Sequence, residues 1–201
     1  MKDQLVIIGA SGHGKVVADC AVKNGYEKIV FLDDNESLNR CGRFPVVGKS
    51  GDVEKISGDV IIAIGNADLR QKMQKTIARD RLITLVHPTA IVSEAAVGLG
   101  TVILAGAIIN PGTVIGEGCI INTASSVDHD CIIGNFVHVS IGSHIAGTVE
   151  IQNRTWIGAG AIVSNNIIIC SDCMIGAGAV VIKSISDAGI YVGVPARKRT
   201  E

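Results

Sequence analysis

Asp128-His129-Asp130 sets one imidazole between two carboxylates, inside a stretch, SSVDHDCIIGNFVH, otherwise built from Ile, Val, Gly and small polar residues. Imidazole titrates near ~6.5, so a neutral ring can take a proton from a nucleophile at neutral pH. A neighbouring carboxylate fixes which ring nitrogen carries hydrogen and stabilises the imidazolium that forms. A base positioned this way contributes ~10²–10⁴ in rate. Either Asp128 or Asp130 is placed to support the ring. His138 and His144 follow, so a metal site is the competing chemistry and a solvent-facing histidine is the plain alternative.

A second group of polar residues lies near the N-terminus. Gly9-Ala10-Ser11-Gly12-His13-Gly14 follows the apolar run Leu5-Val6-Ile7-Ile8, and Asp33-Asp34 follows Ile29-Val30-Phe31-Leu32. Glycines at a strand end expose backbone N–H groups at a helix start, which suits a diphosphate, and an acid after the next strand suits a ribose or base. His13 is placed to touch a phosphate. Asn66 and Arg70 follow a third apolar run, Val60–Ile64, and would face the same rim. The glycine spacing is G-x-x-G-x-G, not the dinucleotide G-x-G-x-x-G, which argues against an NAD-linked enzyme.

The elements that position these groups follow from two textures. Up to about residue 85 the chain reads strand, glycine loop, helix (Val16, Val17, Cys20, Ala21, closing at Asn24-Gly25), strand, and then strand 60–64, helix 67–79 and a fourth strand 82–86. From Ile91 onward a six-residue period takes over. Sixteen positions in steps of six, from Ile91 and Val97 to Ile175 and Val181, are all Ile or Val. The residue four places later is small at most steps, as at Thr101, Ala107, Thr113 and Cys119. A period of six fits a parallel β-helix, with β-branched anchors stacked inward as aliphatic ladders. That explains a core with 3% aromatic residues. It also places Cys119, Cys131 and Cys173 inside, so the lone Cys170-x-x-Cys173 needs no zinc.

Net charge of −1 gives no electrostatic attraction to nucleic acid or anionic membrane. No apolar run approaches the ~20 residues of a spanning helix, and the apolar run near the start is too short for a signal peptide. The cytoplasm is the expected compartment.

The repeat from Val86 to Val194, with its closing Tyr191-Val192-Gly193-Val194-Pro195-Ala196-Arg197, resembles the hexapeptide-repeat acyltransferases. Together with G-A-S-G-H-G, F-L-D-D, A-I-G-N, H-P-T-A-I-V and D-H-D-C, the chain resembles nearly end to end the nucleotide-sugar acetyltransferases of bacterial glycan synthesis. That group includes the bacillosamine- and perosamine-type N-acetyltransferases; the sialic-acid O-acetyltransferases are related to it. The resemblance implies an α/β Rossmann-like domain over 1–85 that binds a nucleotide-linked amino sugar. A left-handed β-helix over 86–201 would follow, assembled as a homotrimer with acetyl-CoA between prisms.

It also implies roles. His129 is the base and Asp130 its supporting acid. Gly147, 18 residues on and therefore stacked beside His129, offers its N–H to the thioester carbonyl. His138 contacts acetyl-CoA; Arg197, in the basic end Arg197-Lys198-Arg199, is by its charge placed to meet CoA phosphates, with a merely solubilising tail as the alternative. From the loop and the strand ends, Gly9, Ser11, Gly12, His13, Asp33, Asp34, Asn66 and Arg70 are added as nucleotide-sugar-binding residues; a plain tight turn, a solvent-facing His13 and a solvated Arg70 are the alternatives. The γ-class carbonic anhydrases share the β-helix and use three histidines, but His129, His138 and His144 fit their spacing poorly, and no metal is expected. The expected reaction is direct N-acetylation of a 4-amino sugar, UDP-linked in preference, with O-acetylation of a sialic acid as the alternative and a non-catalytic nucleotide-sugar binder behind it.

Overall fold

A computed structural model describes residues 2–200. The first part is a five-stranded sheet formed by β1 (Lys2–Ile8), β2 (Tyr26–Leu32), β3 (Arg40–Cys41), β4 (Phe44–Gly48) and β5 (Asp59–Ile62), ordered β3-β4-β2-β1-β5. Two helices accompany it, α1 (Gly12–Lys23) and α2 (Ala67–Gln74). β1 pairs in parallel with β2 and β5. Leu5 to Ile8 are buried on both faces, which is why that strand reads as a continuous apolar run. The glycines of the loop close the strand–helix turn. Gly9 has φ +107°, and a Cβ there would lie 2.7 Å from the Ala63 carbonyl oxygen. A Cβ on Gly14 would overlap the Gly9 carbonyl, so α1 packs this tightly on β1 only through glycine.

Three details of this part depart from the sequence reading. The β3–β4 hairpin turns at Gly42, with φ +58°, in a segment with no long apolar run to announce it. Helix α2 stops at Gln74, where the Thr76 hydroxyl donates to the Met73 carbonyl and ends the ladder. The expected fourth strand does not extend the sheet. Leu82 makes a single bridge to Val60, and Leu85–Val86 pairs instead with Val102–Ile103 of the repeat.

The repeat is a left-handed parallel β-helix with three flat faces. The first face stacks 85–86, 102–103, 120–121, 138–139, 156–157, 173–175 and 189–192; the second runs from 91–92 to 180–181, and the third from 96–97 to 168–169. Paired residues are 18 apart through most of the stack, as in His138↔Trp156 and His144↔Ile162. The anchors from Ile103 to Val181 are all buried, each worth ~1.5–3 kcal/mol of apolar transfer. Small polar residues in the second inward position are satisfied. Thr113, 1% exposed, donates to the Asp128 carbonyl at 2.6 Å and accepts from Cys131 N–H at 3.2 Å.

Ile91 does not keep its inward place. Ile109 pairs with Val92, leaving Ile91 56% exposed, because the first coil is one residue short between Val92 and Val97. A one-residue slip turns the side chain to the other side of its strand.

The two parts are joined by a shared core and a polar clamp. Val102, Leu104 and Ile120, on or beside the first face, pack among Leu5, Ile7, Val17 and Ala21. Arg70 of α2 reaches into the corner between the third and first faces and is 1% exposed.

Candidate active site

Each coil has three faces and three corners, and His129, His138 and His144 lie at different ones of these. Asp128-His129-Asp130 forms the corner between the second and third faces. His129 Nδ1 lies 2.8 Å from Asp130 Oδ2, and this pair is solvent-accessible. Asp128 is engaged otherwise: its Oδ1 accepts from Asn110 Nδ2 at 2.7 Å and from the His129 N–H at 2.9 Å. Asn110 thereby holds the Asp128 carboxyl below the usual range. The Asp130 hydrogen bond raises the His129 pKa, assisted by the charge of Asp128. The supporting acid left open by sequence is therefore, by geometry, Asp130.

Gly147 sits directly beside the imidazole. A Cβ there would lie 2.5 Å from His129 Nε2, so only glycine leaves that nitrogen open. Among the described residues the Gly147 N–H has no protein acceptor, which leaves a donor beside the base.

His138 lies on the first face, away from that corner. It is mostly covered, stacked on Trp156 at 5.1 Å and 17°, with Nε2 3.1 Å from Asn122 Nδ2. Burial, then the charges of Arg70 and His13, pushes its pKa down to about 3. It faces a cleft of roughly 460 Å³ whose other walls include Asn66 and Asp68 of α2, Arg154, Trp156 and Met174. Trp156 and Arg154 escaped the sequence reading; the available signal was the offset of 18, which stacks Trp156 on His138. A second, apolar groove of roughly 370 Å³ runs along the neighbouring corner over Ile141, Gly158, Ala159, Gly176 and Ala177. His144 is on the second face, exposed, with Nδ1 2.8 Å from the Ser126 hydroxyl. The three histidines therefore occupy a corner and two faces. No three metal-ligating side chains converge among the described residues.

The glycine-loop residues divide. Gly9, Ser11, Asp33 and Asp34 line a pocket of roughly 270 Å³ at the strand ends. Asp33 Oδ2 accepts from Ala10 N–H at 2.7 Å, and Asp34 is held by Ser50, whose hydroxyl and N–H lower the acid's pKa. Ser11 caps α1 without a side-chain bond, so its hydroxyl is free for a ligand. Nothing lies within 4 Å of a Cβ on Gly12, so packing does not demand glycine there. Asn66 caps α2 through the Leu69 N–H and also walls the cleft. Arg197 is exposed on the strand Arg197–Lys198, its Nη1 turned back to the Ala196 carbonyl.

Two expectations are corrected. Arg70 does not face a ligand: Nε donates to Gly118 O at 2.6 Å, Nη1 to Ile64 and Gly65 O at 2.8 and 2.9 Å, and Nη2 to Phe136 O at 2.7 Å. Four of the five N–H donors of the fork thus go to carbonyls from both parts of the chain; burial lowers its pKa to about 10 and leaves it a cation. His13 does not line the strand-end pocket. Its ring turns to the β-helix, 6.4 Å from His138, and burial and Arg70 push its pKa down to about 4. A helix-start residue follows the helix, and α1 lies against the first face.

Residues 4–77 match the family model for the PglD N-terminal domain, and residues 148–183 match that for the bacterial transferase hexapeptide (six repeats). UDP-N-acetylbacillosamine N-acetyltransferase of Bacillus subtilis is 38% identical over 109 residues, an alignment spanning about half of each chain. The acetyltransferase domain of PglB from Neisseria gonorrhoeae is 38% identical over 99% of this chain and 100% of that one, with a TM-score of 0.94; it is also known in complex with acetyl coenzyme A. PerB of Caulobacter crescentus, in complex with CoA and GDP-perosamine, is 35% identical over 98% of this chain and 97% of that one, with a TM-score of 0.91. End-to-end agreement at this level, in sequence and in fold, shows that the chain belongs to the hexapeptide-repeat sugar acetyltransferases with a PglD-type N-terminal domain.

Proposed function

We propose that this protein transfers the acetyl group of acetyl-CoA to the amine of a nucleotide-linked 4-amino sugar, with UDP as the preferred carrier. Residues 1–85 hold the nucleotide and residues 86–201 carry the acetyl transfer. The observation that carries the reading is the His129–Asp130 pair at 2.8 Å, with Nε2 opening beside Gly147. The sugar nitrogen attacks the thioester carbon as His129 Nε2 takes its proton. The C–S bond then breaks, and the CoA thiolate leaves and takes up the proton that the His129 imidazolium releases, which returns the ring to its neutral form. Asp130 holds the Nδ1 proton and stabilises the imidazolium, and the Gly147 N–H donates to the carbonyl oxygen as negative charge develops. Among the described residues no serine or cysteine side chain is paired with the His129 ring, so transfer is direct. An acetylated enzyme trapped by rapid quench would overturn that step.

The layout also supports assembly. The nucleotide pocket, the His138 cleft and the apolar groove cluster about the first face, whereas His129 is on the corner opposite it. One chain cannot bring these together, so the base of one subunit serves the cleft of its neighbour in a homotrimer. The groove lined by Gly and Ala suits a pantetheine arm lying along the prism, with His138 and Arg197 near the cosubstrate. The test is an acetyl-CoA assay across UDP- and GDP-linked 4-amino sugars, with free sialic acid as control. Turnover of sialic acid alone would replace N-transfer with O-transfer.

A further inference from the structure

We propose that Gly112 is a positioning residue for acetyl transfer, reserving the space in which the Asp130 carboxylate must lie to pair with His129. The inference rests on His129 being the base. Gly112 is 18 residues before Asp130 and directly adjacent to it in the stack. A Cβ on Gly112 would overlap Asp130 Oδ1, with the carboxyl carbon 3.3 Å away.

Backbone conformation does not explain this glycine. Gly112 has φ +75°, but the same column of the corner continues with Asp130, Thr148 and Asn166 at φ 57°, 56° and 58°. The left-handed conformation costs ~1–2 kcal/mol for a residue with a side chain, and the fold bears it three times in this column. What distinguishes position 112 is its neighbour. Further down, Thr148 and Asn166 pair along the stack through their side chains. Asp130 instead turns sideways to the imidazole, and its backbone is fixed by donation to Pro111 O at 3.1 Å. Only rotation of its side chain is left, and a methyl group at 112 would force that rotation. The displaced group is the end of one exposed side chain, so the fold is spared and the pairing is lost.

The charges facing His129 are those of Asp128 and Asp130, both from its own corner. The adjoining corners, Asn110-Pro111-Gly112 and Ala146-Gly147-Thr148, carry none. Withdrawing the Asp130 carboxylate therefore lowers the titration point of the ring.

Gly112→Ala in the full assembled protein tests this, with Gly106→Ala as a backbone control. Gly106 has φ +68°, and its Cβ would meet nothing closer than 3.9 Å. The first readout, independent of activity, is the His129 ring titration by NMR, assigned by loss of the signal in His129→Ala. Gly112→Ala should bring the midpoint down towards the ordinary ~6.5, matching Asp130→Asn, while Gly106→Ala leaves it in place. The second is kinetic: kcat about tenfold or more lower, acetyl-CoA KM unchanged, and no further loss in Gly112→Ala/Asp130→Asn beyond Asp130→Asn.

An unshifted midpoint in a folded Gly112→Ala protein, or additive losses in the double variant, overturns the inference. Should Gly112→Ala fail to assemble, Gly112→Ala/Asp130→Gly must restore assembly, since the clash is then gone; failure to restore also overturns it. Full activity of His129→Ala would defeat the base reading instead, and the NMR midpoint would still report whether Gly112 governs the pair.

Discussion

At the scale of single residues, an exposed imidazole is an effective base only when its far nitrogen is open and its near one is held. Here Asp130 holds Nδ1 and glycine at 147 opens Nε2. His129→Ala should lower turnover at least about a hundredfold and leave acetyl-CoA binding nearly intact, measured by steady-state kinetics beside calorimetry. The sign of the pH dependence follows from the raised His129 pKa. In the proposed mechanism His129 works as a base only when neutral, so activity should be full above that raised value and fall as pH drops through it. Asp130→Asn removes the first cause of the rise, so the acidic limb of kcat should move to lower pH while the plateau falls. A limb that stays in place would show that the carboxylate does not tune the ring.

At the scale of elements, the junction between α2 and the β-helix depends on one buried guanidinium. Arg70→Met would leave the Gly118, Phe136, Ile64 and Gly65 carbonyls without that donor, and each unsatisfied buried group costs ~1–3 kcal/mol. A clear fall in thermal stability, with early proteolysis of the N-terminal part, is the expected outcome. Unchanged melting would remove the clamp. The same junction holds His13 and His138 neutral, with pKa values pushed down to about 4 and about 3. The unfolded chain takes up those protons below ~6.5 and the folded chain refuses them until lower pH. Stability is therefore full above ~6.5 and declines as pH falls towards 4. His13→Phe should flatten that decline in a melting series, and an equal slope in both proteins would contradict it.

At the scale of the whole molecule, the proposed homotrimer raises the question of which subunit would supply which part of a site. Ser11 lines the strand-end pocket proposed to hold the nucleotide, without capping its helix by side chain, so Ser11→Phe should block the pocket and leave the fold intact. Mixed assemblies of Ser11→Phe and His129→Ala, each inactive alone, should regain activity when refolded together, because base and pocket then come from different chains. Mixtures as inactive as their parents would confine each site to one subunit.

The sequence by itself determined the β-helix, since Ile or Val every sixth residue can be buried only by stacking coils, and nearly every anchor is inside. It also determined that His129 projects from a fixed corner, because Val127 and Ile133 on either side keep the ladder in register. Tertiary structure decided what depends on residues far apart in the chain. The offset of 18 gives approximate stacking, but side-chain rotation chose Asp130 over Asp128 for the imidazole once Asn110 had taken Asp128. Arg70 and His13 looked like ligand groups because they flank a nucleotide-type loop. Docking of the N-terminal part on the first face turned both inward, where carbonyls and a second imidazole surround them. Ile91 shows the same limit in small: one residue fewer in a coil, invisible in a pattern of apolar types, put it outside. Local periodicity fixes which side of a strand is apolar, and only the packing of distant segments fixes what the other side meets.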